Sequence, residues 1–122
     1  MKIKDIVQLT EQSDFVFALD TFLDEFKHSN DKLLLLMDEP PKSGILSKEE
    51  YSILSAVADK LAHDLKINAV PSWILKKEYF LKDPVFQFKT KDKDYQEFLI
   101  KNSIPEFAKR NLFYDFNSIN RT

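Results

Sequence analysis

The stretch SKEEYSILSAVADKLAHDL, residues 47–65, decides the fold. It opens with Ser47 and, three residues on, Glu50, the spacing of a capping box. In that device the serine accepts from a free backbone N–H of the first turn while the glutamate reaches back to the cap's own N–H. Tyr51, Leu54, Ala58, Leu61 and Leu65 then recur at helical spacing, with Val57 and Ala62 beside them. A capped amphipathic helix follows, aliphatic on its packing face. The rest of the chain is read by how it could cover that face.

On the N-terminal side, SDFVFALDTFLDEFKH (13–28) carries Phe15, Leu19, Phe22 and Phe26 at steps of four, three and four, widened by Val16 and Leu23. This predicts a second amphipathic helix, capped by Ser13 or Asp14. Lys2 to Leu9 reads as a short helix before it. Between the two long helices, LLLLM (33–37) is leucine-rich rather than β-branched, which favours a short buried helix over a strand. Pro40 and Pro41 stop it, because proline donates no backbone hydrogen bond and restricts its predecessor.

On the C-terminal side, a helix start is expected at Pro71 or Ser72. Phe86 and Phe88 alternate with Gln87, as in a short extended edge. One strand alone is unstable, so the region is read as a packed loop. A helix from about Asp92 to Asn102 is expected to bury Tyr95, Phe98 and Leu99. Ser103 to Glu106, SIPE, repeats the cap logic with Pro105 in the first turn. The last residues carry Phe107, Leu112, Phe113, Tyr114, Phe116 and Ile119, too apolar for a frayed end. Four phenylalanines lie between Phe15 and Phe26 and seven from Phe80 onward. Two aromatic ends meeting around an aliphatic middle helix would make one core. The expected fold is therefore mainly α: a compact single domain over residues 1–122, a bundle of about five or six helices with an irregular, aromatic-rich C-terminal half.

Composition narrows the function classes. At 122 residues, 43% hydrophobic and 31% charged, the chain can bury one sizeable core. Its net charge of −2 lacks the basic excess of a dedicated nucleic-acid binder. Cysteine is absent, which removes disulfides, thiolate metal sites and cysteine nucleophiles together. With a single glycine, Gly44, neither a phosphate-cradling loop nor a dinucleotide fingerprint can be built. The first residues form no signal-peptide apolar segment and LLLLM is too short to span a bilayer, so a cytoplasmic protein with no membrane association is expected.

Candidate reactive groups are few. Asp59 and His63 share a helix face at a two-ligand metal spacing, but no third ligand is evident, and an ion pair explains them. His28 suits the C-terminal end of its helix as a cation beside the dipole. The carboxylate pairs Asp24–Glu25, Asp38–Glu39 and Glu49–Glu50 read as caps or solvated charge, and no serine sits in a nucleophile elbow. KKEYFLK (76–82) and KTKDKD (89–94) mix aromatic and basic residues, yet the alternating sign of the second marks a solvated turn. Trp73 is either a core residue or an interface anchor. Arg110, three residues after the inward Phe107, needs carboxylate or carbonyl partners near a core. We read it as an internal clamp to Glu39, Glu106 or Asp115; contact with a partner is the alternative.

DEPP (38–41), the capped helix, VPSW (70–73), LKDPVF (81–86) and IPEFAKRNLF (104–113) occur in that order. Together they resemble a family of small, largely uncharacterised bacterial proteins with the pattern EEPP … PxW … xxPxF … SPxxFRRRNIF. The resemblance covers roughly residues 33–117. It departs at Ala108-Lys109-Arg110, where the family is richer in arginine, and at Leu112, where isoleucine is common. Genes of that family often neighbour nucleotidyltransferase-like or other toxin-type genes. The resemblance implies an antitoxin-like or accessory partner of a neighbouring enzyme, and it carries no catalytic residues. The signature positions it marks are Glu39, Pro40, Trp73, Glu106, Phe107, Arg110, Asn111 and Phe113, as partner-binding or structural residues. The expected function is a non-catalytic protein-interaction module with no cofactor and no metal, whose partner is another protein rather than nucleic acid. The alternatives are a small DNA-binding regulator and a helical domain with no separable activity.

Overall fold

A computed structural model describes residues 2–30, 32, 41–66 and 71–116. Among these, five α-helices form the body: α1 (Asp5–Gln12), α2 (Phe15–His28), α3 (Lys48–Asp64), α4 (Lys93–Asn102) and α5 (Pro105–Ala108). Three 3₁₀ turns, Ser72–Leu75, Lys77–Tyr79 and Gln87–Lys89, and two short strands, β1 (Val85–Phe86) and β2 (Leu112–Phe113), complete it. The protein is mainly helical. The segment LLLLM with Asp38, Glu39 and Pro40, and the tail from 117 on with Ile119, lie outside the described residues.

α1 and α2 pack on each other across a two-residue junction. Ser13 closes α1 by donating its N–H to Leu9 and Thr10 carbonyls, and Asp14 opens α2 by accepting from Phe17 N at 2.8 Å. Of the two expected caps, Asp14 is therefore the one in place. α1 itself runs from Asp5 to Gln12, shifted toward the C-terminus from the span read in the sequence.

The capping box of α3 is complete: Ser47 Oγ accepts from Glu50 N at 3.1 Å, and Glu50 Oε1 accepts from Ser47 N at 2.9 Å. The helix is buried on more than its aliphatic stripe. Ser52, Ser55 and Asp59 are also inside, at steps of three and four along a second face. α5 and the two 3₁₀ turns of residues 72–79 cover it. Phe15, Phe22 and Phe26 from the front of the chain, α3's aliphatics, and Phe107, Leu112 and Phe116 from its end form one contiguous cluster. The apolar end closes the core.

Four expectations change. The extended edge does pair: β1 lies parallel to β2 with Val85 opposite Leu112 and Phe86 opposite Phe113, so the partner strand comes from the closing segment. Phe86 stacks on Phe113 with centroids 5.4 Å apart. At Pro71–Ser72 the chain makes 3₁₀ turns in place of a regular helix. Ser103 caps no helix start. It ends α4, its hydroxyl donating to Leu99 O or Tyr114 O, and Ile104 precedes α5 without a side-chain cap. Only Leu99 of α4 is buried; Phe98 is 45% exposed and stacks on the half-buried Tyr95. A single short helix against a two-residue strand has room to bury only one row of side chains.

Candidate functional site

Two places concentrate chemistry: an internal arginine cluster and an open apolar groove. Arg110 follows α5 and points back beneath α3, with no solvent exposure. Its Nε donates to Ser55 Oγ at 3.0 Å. Nη1 donates to Asp59 Oδ2 at 3.0 Å and to the Glu106 carbonyl at 2.7 Å. Nη2 donates to the Ile74 carbonyl at 2.9 Å. The Phe80 ring lies 4.6 Å from the guanidinium carbon. The planar fork thus ties α3, α5 and the turn at 72–75 with separate donors, which a lysine could not do. Arg110 is clamped internally, and its carboxylate partner is Asp59; Glu106 accepts through its backbone carbonyl and adds its charge, while Glu39 lies outside the described residues.

Asp59 is equally enclosed and also takes Lys109 Nζ at 2.8 Å. Burial alone would raise its carboxyl, yet hydrogen bonds and charge from Lys109 and Arg110 outweigh that and hold it below its ordinary value. Burial pulls Arg110 down from its ordinary value against the opposing pull of Asp59 and Glu106. Both groups are charged at neutral pH, because an arginine does not deprotonate in a protein. His63, half-exposed, sits between two carboxylates: Nε2 is 3.5 Å from Asp59 Oδ1 and Nδ1 is 2.6 Å from Glu106 Oε2. The two acids face opposite nitrogens of one ring, so they cannot converge with it on an ion. Among the described residues no cluster of three or more potential ligands is placed to hold a metal. His28 is exposed on the last turn of α2, its Nδ1 2.9 Å from the Asp24 carbonyl.

The described signature residues all serve the fold. Trp73 is buried edge-on against Tyr79, centroids 6.4 Å apart. Glu106 and Phe107 are buried, the latter against Tyr114 and Phe116. Asn111, in the left-handed region at φ 61°, donates its side-chain N–H to the carbonyls of Leu81 and Lys82. Phe113 stacks in the strand pair. These residues hold the C-terminal segment against α3 and the 72–86 stretch. Glu39 and Pro40 are outside the described residues.

The groove lies elsewhere. It has a volume of about 720 Å³ and is lined by the first turns of α2 and α3, the turn at 87–89 and Tyr114. Phe15, Val16, Leu19, Ile53, Phe88 and Tyr114 supply its apolar lining. Asp20, Glu49 and Glu50 stand along it, against Lys89 alone of the opposite sign. Burial raises the Tyr114 hydroxyl, and the Glu49 charge raises it further. Of the lining residues, Val16 is 68% and Phe88 79% exposed; Phe17 of α2, outside the lining, is 53% exposed. Val16, read as part of the core stripe, faces out because α1 already covers α2's inner side.

Phe88 is the unusual member. Its backbone is left-handed (φ 61°, ψ 13°), and Lys89 follows at φ 51°. That region costs an L-residue about 1–2 kcal/mol, and here neither residue is glycine or asparagine. The turn is held from both sides. Gln87 is buried and its Oε1 accepts from Asp115 N at 2.9 Å, while Val85 N donates to Asn111 O at 2.8 Å. A strained backbone is spent on displaying an aromatic ring to solvent.

Against family models, curated proteins and solved structures, the chain gives no match. No helix among the described residues is long and apolar enough to cross a membrane.

Proposed function

We propose that this chain is a non-catalytic protein-interaction module, and that its binding surface is the groove between α2 and α3 rather than the arginine cluster. The observation that carries this reading is Phe88, exposed on a strained turn at the mouth of an apolar groove. Strained residues persist where the surroundings over-determine them, and they gather at ligand clamps. Exposed aromatics of this kind are the anchors of protein interfaces. The non-catalytic part is supported by the fate of the reactive side chains: Arg110, Asp59, Glu106 and His63 partner one another, and the cluster's arginine and aspartate have no path to a substrate.

The family pattern points to the kind of partner, an enzyme encoded beside this chain toward which it acts as an antitoxin-like or accessory protein. A DNA-binding regulator is a weaker reading, because Asp20, Glu49 and Glu50 would repel phosphate along the groove. Co-expression with the neighbouring gene product followed by gel filtration tests the proposal. We expect a complex that survives at micromolar concentration and buries about 1,200–2,000 Å² in total. Elution of the two proteins apart at that concentration would refute it.

A further inference from the structure

We infer that the groove receives an amphipathic helix of another protein, with apolar residues on one face and lysine or arginine along its flanks. The inference rests on the interaction reading above and names the chemistry of the partner. Charge complementarity carries it. The apolar floor, Phe15, Leu19 and Ile53, is bordered by Asp20, Glu49 and Glu50, and only Lys89 offsets them. A basic border on the ligand would match that rim; an acidic one would meet like charges across it.

The groove's walls select the shape of the guest. Beyond their capped first turns, α2 and α3 direct their backbone groups into their own hydrogen bonds and present no strand edge to an extended peptide. A ligand that satisfies its own backbone, as a helix does, loses nothing by lying there. Its apolar face would repeat at steps of three and four residues to match the floor. Val16 and Phe88 line the groove and are 68% and 79% exposed, so its apolar surface runs out onto the rim. A helix lying along the groove would cover both side chains, and an exposed apolar patch of this kind marks a macromolecular interaction site.

Phe88 takes a defined part. Its ring is aimed by a backbone that the strand pair and the Gln87–Asp115 hydrogen bond hold in place before any partner arrives. Less side-chain and loop freedom is then lost on binding.

The test uses the full chain, immobilised, against a display library of random peptides about two to four helical turns long, a length typical of helices. Enriched peptides are expected to place apolar residues at helical spacing and carry net positive charge. Their affinity should fall about tenfold or more on Phe88→Ser, the loss of an interface anchor. It should also fall on Asp20→Lys and Glu49→Gln, and with added salt. Phe88 and Asp20 are solvent-exposed and Glu49 is half-buried at the groove's edge, and circular dichroism of each variant checks that it folds. Enrichment of acidic or extended peptides, or binding indifferent to Phe88, would overturn the inference. So would a self-associated chain whose dimer is lost on Phe88→Ser, since a second copy would then be the occupant. A natural complex with the neighbouring protein that ignores all three substitutions would overturn the groove assignment and leave the interaction reading standing. Absence of any such complex, with library peptides still mapping to the groove, would do the reverse.

Discussion

Arg110→Met is the sharpest perturbation of this fold. The variant keeps most of the side chain's apolar bulk and removes the fork that reaches Ser55 Oγ, Asp59 Oδ2 and the carbonyls of Glu106 and Ile74. Removing one partner of a buried pair costs about 3–5 kcal/mol, because the remaining charge stays desolvated. Lys109 Nζ still lies 2.8 Å from Asp59 Oδ2, so the lower end, about 3 kcal/mol, is the expected loss. A domain of this kind has about 5–15 kcal/mol in hand. With a urea m-value of about 2 kcal/mol/M, the midpoint followed by far-ultraviolet circular dichroism should fall by about 1.5 M. Asp59→Leu added to Arg110→Met should restore part of that, since no orphaned carboxylate remains and the half-exposed Lys109 can return to water. A midpoint for Arg110→Met within about 0.3 M of the parent, or a double variant whose loss is the plain sum of the two singles, would refute the reasoning.

The same carboxylate sets an acid limit. Asp59 is held below its ordinary 3.8 in the folded chain, so between the folded and unfolded values the unfolded chain binds the extra proton. Its stabilisation is complete above about pH 4 and is lost as pH falls through the depressed folded value; the gap in urea midpoint between parent and Asp59→Asn should be wide at pH 7 and narrow steadily in acid. Ser47→Ala should cost about 1 kcal/mol by removing the cap that accepts from Glu50 N, read as a lower thermal midpoint, and an unchanged midpoint would mean that α3 is held by packing alone. Phe88→Gly should act in opposite directions: a stability gain of a few tenths to about 1 kcal/mol in urea, as relief of left-handed strain outweighs glycine's greater unfolded-chain entropy, together with loss of partner binding.

α3 was legible because its signals are local. A capping box and a helical stripe each need only a few residues, and both are in place. Asp14 and the buried Phe107, Leu112 and Phe116 were readable for the same reason. The Arg110 partner was not, because a partner fifty-one residues away leaves no spacing to read. A trace existed: Ser52, Ser55 and Asp59 are short polar groups at helical steps, where a solvated face would carry longer charged residues. Read together with an arginine in an apolar segment, that second stripe would have marked a buried polar seam, one not anticipated from the sequence. Strand pairing failed for a related reason, since two residues at 85–86 gain a partner only once the chain returns at 112–113. The groove was hidden because its marker, Phe88, looks like core by composition, and only the backbone turn places it in solvent. Phe17, out of phase with the α2 stripe, was the hint nearest to it.

The separation between Asp59 and Arg110 bears on how the chain is made. At about 5–20 residues per second, the ribosome delivers the arginine roughly 3–10 s after the aspartate it neutralises. Through that interval the central helix carries a naked carboxylate on a face destined for the interior. Hydration of that charge opposes early closure over it, so packing of this face is favoured only once Arg110 is available to pair with it.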